Sequence, residues 1–303
     1  MRSHRTLALG ATVLALALLA GACNNKSGGG GNNGGTITVG VSGAYAENQL
    51  VAEMYAQVLE DQGLTVERQL DLATRQISDK ALFSGQIDLK PEYLAFELPA
   101  LDPNADSSGT ADVVAARLKP LLEKKGVTLL DPTPANDTNV LVVTQDTASK
   151  FNLKTISDLA QVADQLVLGG PPACPKNTFC IPAFKKVYGI TFKDFKPLDE
   201  GGPATVAAVE NGAVDVGLLF STDPVIVDKG FVVLEDDKNS QPAGNIAPVI
   251  RTDVLTDDIK NALNSLSSKI TTENITEAIK EVSVDKKDVK DVAAQFLKDQ
   301  GVL

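Results

Sequence analysis

Two similar stretches of the chain place polar and aromatic side chains directly after a short apolar strand. The first, ALFSGQIDL at 81–89, is followed by KPEY, and the second, AVENGAVDV at 208–216, by GLLFSTD. Each contains the end of a helix, a Gly stop and a strand with one Asp. Open α/β sheets bind ligands beyond the carboxyl ends of their strands, so both sets of side chains are predicted to face one ligand across a cleft. The alternative is that such helix–Gly–strand stretches recur by chance in any α/β chain.

The rest of the chain offers little for covalent or metal chemistry. The only His is His4, within the amino-terminal segment, and Trp is absent. Once that segment is removed, a His-assisted nucleophile and a His-bearing zinc site are both excluded. No pair of carboxylates stands out for acid–base catalysis. We therefore expect a binding protein with no enzyme activity, no cofactor and no metal.

Residues 1–22 have the pattern of a secretion signal. Arg2 and Arg5 precede a continuous apolar run at 7–19, which is too short to span a membrane. The run ends in LLAGAC, which is similar to the bacterial lipobox and marks Cys23 for lipidation. We expect an exported protein, lipid-anchored to the outer face of the cytoplasmic membrane, in the cell envelope or periplasm. The alternative is an ordinary cleaved signal with an incidental Cys.

A Gly- and Asn-rich segment follows the Cys. Residues 24–35, NNKSGGGGNNGG, have nothing to bury and great backbone freedom. With Cys23 they form a predicted flexible tether at 23–35, with a root-mean-square reach of roughly 20 Å. No later segment is long and apolar enough to span a bilayer.

Composition and charge limit the partners of the remaining chain. The residues after 35 are enough for two modest lobes. The formal net charge is −11, which argues against nucleic acid as a partner.

Cys174 and Cys180 lie in the Pro-rich stretch GGPPACPKNTFCIPAF, and in an exported protein they predict a disulfide. A redox role is the weaker alternative, because redox motifs usually have two intervening residues.

Strand-like and helix-like patterns alternate along the chain. TITVGVS, LTVERQLDL, QIDLK and VTLLDP predict strands, separated by segments with helical spacing. TNVLVVTQD opens a second set, which closes with GFVVLEDD. After NIAPVIRTDVL the remainder is helical. This alternation predicts an α/β architecture with largely parallel sheets, in two lobes built on one plan.

Several longer stretches resemble the substrate-binding proteins of ABC importers for quaternary-amine osmoprotectants such as glycine betaine, choline and carnitine. The stretches are AENQLVAEMYAQVLE, SGQIDLKPEY, LDPNA, KTISDLAQVADQL, IPAFKKVYGI, PLDEGGPATVAAVENGAVDVGLLFSTDPVI and FVVLEDDK. The resemblance covers nearly all of 36–303. It implies a two-lobed, type II periplasmic-binding-protein-like fold with a ligand cleft between lobes joined by two crossing strands. The implied partners are a small-molecule solute and ABC permease subunits with a cytoplasmic ATPase, and the implied state is a monomer.

The resemblance also suggests where the lobes divide. Lobe one is expected at 36–137 plus 244–303, and lobe two at 138–243. The crossings are expected near NDTNVLVV and AGNIAPV. A chain that crosses twice forms a hinge, and hinge closure around a solute is a common switching motion.

Five candidate ligand residues lie in the first half of the predicted cleft. Tyr45, two residues before the Glu of the ENQL stretch, and Tyr93 of PEY are expected to offer aromatic faces; Tyr45 could instead pack on its own lobe. Glu92 is expected either to contact a cationic ligand or to cap a helix. Thr74 opens a helix, and Arg75 either holds a ligand carboxylate bidentately or forms a surface ion pair.

A second group of candidates lies at the first crossing and at a later helix start. Asn136, Asp137 and Thr138 are expected to supply polar contacts, or only hinge geometry. Gly201 and Gly202 begin a helix whose free backbone N–H groups suit a carboxylate. The alternative for the two glycines is helix capping without a ligand.

The last candidates follow the second stretch. Phe220, Thr222 and Asp223 come just after its strand and are expected in the cleft. The other tyrosines, Tyr55 and Tyr188, are predicted to belong to the core, because Tyr55 borders an apolar helix face and Tyr188 precedes a Gly stop.

One departure from the resemblance bears on the ligand. Lys90 stands where the family often has Tyr. Aromatic faces usually hold a trimethylammonium head, and a cation aimed into the cleft would disfavour it.

Three functions therefore stay open. They are an importer receptor for a betaine- or choline-like amine, the same role for a neutral or aromatic solute, and a ligand-sensing or adhesion lipoprotein without a transporter. A neighbouring permease and ATPase gene would separate the third from the others.

Overall fold

The computed structural model describes residues 35–43, 45–199 and 201–303. The predicted signal, Cys23 and the tether up to residue 34 lie outside the described residues. The first of two sheets has the strand order β2-β1-β3-β10-β4. Its strands are β1 Thr36–Ser42, β2 Thr65–Leu72, β3 Leu89–Tyr93, β4 Val127–Leu129 and β10 Ile246–Arg251.

The second sheet repeats this plan with the order β7-β6-β8-β5-β9. Its strands are β5 Asn139–Val143, β6 Val167–Gly170, β7 Asp194–Pro197, β8 Val216–Phe220 and β9 Val232–Leu234. In both sheets the first three strands in these orders are parallel to one another. The fourth strand, β10 or β5, is antiparallel to the strand on each side of it. The predicted α/β fold with two lobes on one plan is confirmed.

The prediction of largely parallel sheets is incomplete, because β10 and β5 run antiparallel to the central strands beside them. Both strands follow a segment in which the chain has just left the other sheet. The crossings lie at the edges of the two sheets that face each other. A strand that begins at a crossing runs away from that edge, whereas β3 and β8 end at it. The antiparallel strands are therefore a direct consequence of the two crossings.

Helices pack against both sheets. Their bounds are α1 Ala46–Asp61, α2 Arg75–Ser84, α3 Leu94–Leu101, α4 Ala111–Glu123, α5 Gln145–Phe151, α6 Ile156–Leu159, α7 Ile181–Tyr188, α8 Pro203–Glu210, α9 Val225–Asp228, α10 Asp257–Ser267, α11 Thr272–Ser283 and α12 Val289–Asp299, with a 3-10 turn at Ala163–Gln165. Within the described residues, no helix combines the length and the apolar character that crossing a membrane requires.

The two similar stretches occupy equivalent positions, because β3 and β8 are the central strands of their sheets. The Asp in each has the same structural role. Asp88 accepts a hydrogen bond from the backbone N–H of Thr38 at 2.8 Å, and Asp215 accepts one from Val167 at 2.8 Å. Each carboxylate thus fixes the start of the neighbouring parallel strand. These acids hold the sheets together and lie away from the strand ends that face a ligand.

The two crossing segments touch each other. Asn136 and Asn245 form an isolated antiparallel bridge, and the N–H of Asp137 donates to the carbonyl of Gly244 at 3.1 Å. A Cβ added to Gly244 would overlap the Asp137 carbonyl, so this approach requires glycine. The paired segments form a narrow connection between the sheets, as a hinge requires.

Helix α1 forms the centre of the core beside the first sheet. It contacts β1, β2 and β3 on one side and α10, α11 and α12 on the other. Because it is covered on both sides, it is buried over most of its surface, with Leu50, Met54, Tyr55 and Leu59 fully buried. The prediction that Tyr55 belongs to the core is confirmed, and Tyr188 is buried as well.

Replacing Tyr55 with Phe is expected to raise the free energy of unfolding by about 1 kcal/mol. The Tyr55 hydroxyl is buried, and among the described residues it has no hydrogen-bond partner. Burying an unpaired hydroxyl costs about 1–3 kcal/mol, whereas Phe keeps the ring that fills the core. Urea unfolding of the variant and the wild type measures the difference. A loss of more than about 1 kcal/mol would show that the hydroxyl is satisfied in solution.

The cysteine pair lies in the loop between β6 and α7. The structure joins Cys174 and Cys180, whose Cα atoms are 5.1 Å apart, and both residues are buried against the core of the second sheet. The pair closes the short loop 174–180, within which the N–H of Cys180 donates to the carbonyl of Asn177 at 3.0 Å.

Candidate functional site

A cavity of about 610 Å³ opens where the carboxyl ends of β3 and β8 approach each other. Side chains from both sheets and from the first crossing line it. The residues are Val41, Ser42, Tyr45, Ala46, Glu47, Asn48, Ala73, Thr74, Arg75, Ser78, Pro91, Glu92, Tyr93, Phe96, Asp137, Phe220, Thr222, Asp223, Pro224, Ile279 and Ser283. The cavity therefore lies where the two similar stretches were predicted to face one another.

Tyr93, the last residue of β3, anchors the wall beside the first sheet. Its hydroxyl oxygen lies 2.6 Å from Glu47 Oε1 and 2.8 Å from Asn48 Oδ1. The Asn48 amide is oriented by its Nδ2, which donates to the carbonyl of Ser42 at 3.2 Å. The Tyr93 ring meets Phe96 edge to face, with centroids 6.1 Å apart. These contacts hold the ring rigidly at the cavity wall.

The opposite wall comes from the turn that follows β8. Thr222 Oγ1 donates to Asp137 Oδ1 at 2.9 Å, which links the second sheet to the first crossing. Asp223 accepts from the N–H of Val225, the first residue of α9, at 3.0 Å. Phe220 and Asp223 both line the cavity. The position after the second strand thus supplies an aromatic ring and a carboxylate.

Two carboxyl groups at the base of the cavity are strongly perturbed. Burial, and then the negative charge of Asp137, raises the pKa of Glu47 to about 8. Burial likewise raises the pKa of Asp137 to about 6. The hydrogen bond from Tyr93 and the nearby Thr222 hydroxyl lower the pKa of Glu47 and so act in the opposite direction. The base of the cavity is therefore an electronegative pair that holds a proton near neutral pH.

Arg75 is the one basic residue among the described residues that line the cavity. Its Nε donates to Glu92 Oε1 at 3.1 Å, and its guanidinium lies 5.7 Å from the centre of the Phe96 ring. Thr74 caps α2 by accepting from the N–H of Ile77 at 3.3 Å. Arg75 is thus held at the wall by Glu92. It forms an ion pair, as one alternative predicted, but this pair lies in the cavity wall and not at the surface.

Lys90 does not point into the cavity, contrary to expectation. Its side chain is 1% exposed and lies behind the wall, where its Nζ binds Glu92 Oε2 at 2.7 Å and contacts Asp79 Oδ1. The ammonium lies against α2, where Ser78 Oγ accepts from Nζ at 3.4 Å, and the charge of Glu97 from α3 acts on it as well. Lys90 therefore does not place a positive charge in the cavity, and the charge conflict expected with a trimethylammonium group does not arise.

Lys90 belongs to a buried ion cluster with Arg75, Asp79, Glu92 and Glu97. Burial disfavours the Lys90 ammonium, but the charges of Glu92, Glu97 and Asp79 outweigh it and raise its pKa. Burial and the charge of Glu92 raise the pKa of Glu97 to about 8. The carboxyl oxygens of the three acids lie within 4.8 Å of one another. Lys90 neutralises this group internally and positions Glu92, which in turn holds Arg75.

Four further candidates lie off the cavity wall. Thr138 donates through Oγ1 to the carbonyl of Pro242 at 3.1 Å, and its N–H binds Ser221 Oγ at 2.9 Å. Asn136 is part of the bridge between the crossings, with its N–H bound to Thr272 Oγ1 at 3.1 Å. These contacts support the alternative of hinge geometry for both residues.

The start of α8 is capped by a side chain of the protein itself. Asp199 accepts from the N–H groups of Ala204 and Thr205, each at 2.9 Å. Gly202 is the residue before the helix, and Gly201 has a φ of 72°, which favours glycine. Capping without a ligand, the alternative considered for the two glycines, matches this geometry.

The structure adds wall residues that sequence reasoning missed. Glu47 and Asn48 begin α1 within the AENQ stretch, Phe96 follows PEY, and Ile279 and Ser283 come from α11. In the sequence, Glu47 served only to locate Tyr45 and was not predicted to contact a ligand. Tyr45 lies at the start of α1 and is 60% exposed. The available signal was a carboxylate and an amide at a helix start directly after a strand that ends at the cleft.

Two sheets of one topology, joined by two crossing segments and flanking one cavity, define a two-lobed solute-binding protein of the type II periplasmic kind. Residues 35–299 match the family described as the substrate binding domain of the ABC-type glycine betaine transport system. The chain belongs to this OpuAC family, and it is the solute-binding component of an ABC importer. The family acts in transport outside the cytoplasm.

Similar proteins support the assignment. The chain is 29% identical over 267 residues to the carnitine transport binding protein OpuCC of Listeria monocytogenes, covering 86% of each chain. It is 28% identical over 269 residues to the glycine betaine-binding protein YehZ of Escherichia coli, covering 84% of this chain and 88% of YehZ. A crystal structure of a glycine betaine/carnitine/choline ABC transporter protein matches with a TM-score of 0.79 and 26% identity, over 88% of this chain and 98% of the other.

Proposed function

We propose that this protein captures a small quaternary ammonium osmoprotectant, such as glycine betaine, choline or a related amine, and delivers it to its permease. The observation that carries the proposal is the composition of the cavity wall. Four acidic residues and four aromatic rings line it, against the single basic Arg75. A quaternary ammonium has no N–H to donate, so it is stabilised by aromatic faces and by nearby negative charge.

The wall offers distinct surroundings for the two ends of such a solute. Tyr93 and Phe220 lie near the carboxyl groups of Asp137 and Asp223, where a cationic head would be stabilised. Arg75 uses its Nε for Glu92, and among the described residues its Nη groups have no acceptor. These groups are available to hold the carboxylate of a betaine or carnitine.

Closure would occur about the two paired crossings. Lobe one is proposed at 36–137 plus 244–303, and lobe two at 138–243. The cavity has walls from both sheets, so a solute that contacts both stabilises the closed form by its differential affinity. The protein is proposed to work as a monomer without enzyme activity, with permease subunits and a cytoplasmic ATPase as partners.

Differential scanning fluorimetry with paired solutes tests the proposal. Glycine betaine, choline and carnitine are compared with glycine and ethanolamine, the unmethylated parents of the first two. A solute at 100 times its Kd stabilises a protein by about 2.7 kcal/mol. We expect quaternary amines to raise the melting temperature and the parents to leave it unchanged. Stabilisation by neutral or aromatic solutes alone would contradict the proposal and leave the transport role in place.

Replacing Cys23 with Ala is expected to abolish membrane anchoring. We propose that Cys23 is lipidated because LLAGAC resembles a lipobox and a Gly-rich tether follows it. The wild type should partition into the detergent phase when extracted from the expressing cell, and the variant into the aqueous phase. The Cys174→Ala variant, which keeps the signal and the tether, is the control. Equal partitioning of the Cys23 variant and the wild type would contradict the anchor.

Cys174 and Cys180 are proposed to form a structural disulfide in the exported protein. Thiol alkylation under denaturing conditions, followed by mass spectrometry of protein from the cell envelope, should label neither residue before reduction and both after it. The enclosed loop is short, so the stabilisation from the link is expected at the lower end of the range of about 2–4 kcal/mol. Two labelled cysteines without reduction would contradict the proposal.

A further inference from the structure

The Tyr93 hydroxyl has more acceptors than it has hydrogens. Its oxygen lies 2.6 Å from Glu47 Oε1 and 2.8 Å from Asn48 Oδ1. The Asn48 amide cannot be reversed without loss, because its Nδ2 donates to the carbonyl of Ser42 at 3.2 Å. A phenol carries one hydrogen, so it satisfies one of the two oxygens. The second hydrogen bond needs a proton on Glu47, whose carboxylic acid then donates to the Tyr93 oxygen.

The charged groups around Glu47 favour the same proton. From the first crossing Glu47 faces Asp137, and β3 contributes Tyr93, on which the charge of Glu92 also acts. The turn after β8 contributes Thr222 and, farther off, Asp223, which acts on Asp137. Helix α11 faces the cavity with uncharged residues, and Arg75 from α2 is bound to Glu92. The amino end of α1 favours an ionised Glu47, but among the described residues no neighbouring side chain supplies it with a positive charge.

We propose that Glu47 holds a proton while the cavity is empty and releases it to solvent when a cationic solute binds. The inference rests on the function proposed above and identifies Glu47 as the residue that matches the charge of the cavity to the charge of the solute. A quaternary ammonium cannot give up a proton, so the cavity must do so to gain a negative charge. Tyr93 then donates to the ionised Glu47.

The proposal gives binding a defined dependence on pH. Burial raises the pKa of Glu47 to about 8, so the free protein holds this proton below pH 8, whereas the complex does not. Affinity for the cation therefore rises with pH up to about 8 and is constant above it. For one proton with this pKa, the affinity increases roughly fiftyfold between pH 6 and pH 8. Protonation of Asp137 adds to this change at the acid end.

Titration calorimetry of the wild type with choline at pH 7, in phosphate and in Tris, tests the coupling. The two buffers differ in their heat of ionisation, so the difference in binding enthalpy counts the protons released. We expect close to one proton per choline bound. Glu47→Gln keeps a neutral donor for Tyr93, and we expect it to release no proton. The affinities of the variant and the wild type for choline should be closer at pH 7 than at pH 9. At pH 9 Glu47 is ionised in the wild type, and the variant lacks this charge.

Glu67→Gln is the matched control, because Glu67 is an exposed acid on β2, away from the cavity. It should release the same number of protons as the wild type. Binding of choline without proton release by the wild type, or equal release by Glu47→Gln, would overturn the inference and leave the proposed function standing.

Infrared spectroscopy of the unliganded wild type detects the proton directly. It tests the inference even if Glu47→Gln fails to fold or the protein binds no amine. Because burial also raises the pKa of Glu97 to about 8, the spectrum is compared with that of Glu97→Gln, in which a protonated carboxyl C=O band should remain at pH 7 and titrate away near pH 8. Absence of this band would overturn the inference by itself. Failure of every quaternary amine to bind would overturn the proposed function, whatever the spectrum shows.

Discussion

Replacing Lys90 with Met is expected to lower the free energy of unfolding by about 3–5 kcal/mol, the usual cost of removing one partner from a buried ion pair. The Lys90 side chain is 1% exposed and neutralises Asp79 and Glu92. Glu97 is completely buried beside them, and among the described residues neither of its carboxyl oxygens has a hydrogen-bond partner. Without the ammonium, these acids must be protonated or exposed to water. Urea unfolding at pH 7 measures the loss.

Lys80→Met is the matched control, since Lys80 is exposed on the same helix as Asp79 and forms no ion pair among the described residues. It should change the free energy of unfolding by less than about 0.5 kcal/mol. The Lys90→Tyr variant, which would introduce the aromatic residue common in the family, is expected to destabilise the fold rather than to improve binding. Equal stability of Lys90→Met and Lys80→Met would show that the cluster contributes nothing to folding.

Replacing Tyr93 with Ala is expected to weaken binding of the quaternary amine by about five- to thirtyfold, or roughly 1–2 kcal/mol. The ring lines the cavity edge to face with Phe96, and its hydroxyl positions Glu47. Asp223→Ala is also expected to weaken binding. The two losses should not add, because both residues act through closure around one solute. Titration calorimetry of the single and double variants measures this coupling.

Tyr93→Phe separates the ring from the hydroxyl. This variant keeps the aromatic face, so it should retain most of the affinity that Tyr93→Ala loses. Tyr55→Phe serves as the control, because its hydroxyl is buried in the core away from the cavity. If Tyr93→Ala and Asp223→Ala both bind the true solute as tightly as the wild type, the cavity described here is not the binding site.

Much of the fold followed from patterns that are local in the sequence. The helix–Gly–strand stretches located the central strands of both sheets, since a Gly stop and an apolar run need no distant partner to be recognised. One strand, β7, and three helices, α3, α5 and α9, were missed. Strand β7, Asp194–Pro197, is a polar edge strand held by backbone pairing with β6. Helix α3, Leu94–Leu101, contains Pro99, which usually indicates a helix end.

The cavity was predictable in position but not in charge. Tyr93, Thr222 and Asp223 were located because strand ends of open sheets face ligands. The protonated state of Glu47 depends on Asp137, which is 90 residues away in the sequence and reaches it only in the folded chain. The burial of Lys90 likewise depends on acids from α2 and α3, whose packing no local pattern reveals.

The most direct test of the central claim compares the affinity of the protein for one quaternary amine with its affinity for an isostere that lacks the positive charge. Titration calorimetry should use the tightest-binding quaternary amine from the solute panel and the isostere in which carbon replaces the nitrogen. The two have the same shape and differ in the positive charge that the carboxylates and aromatic rings of the cavity are proposed to bind. The account predicts that the isostere binds at least about thirtyfold more weakly, a difference of about 2 kcal/mol. Equal affinity would contradict it, because the cavity would then select its solute by shape alone.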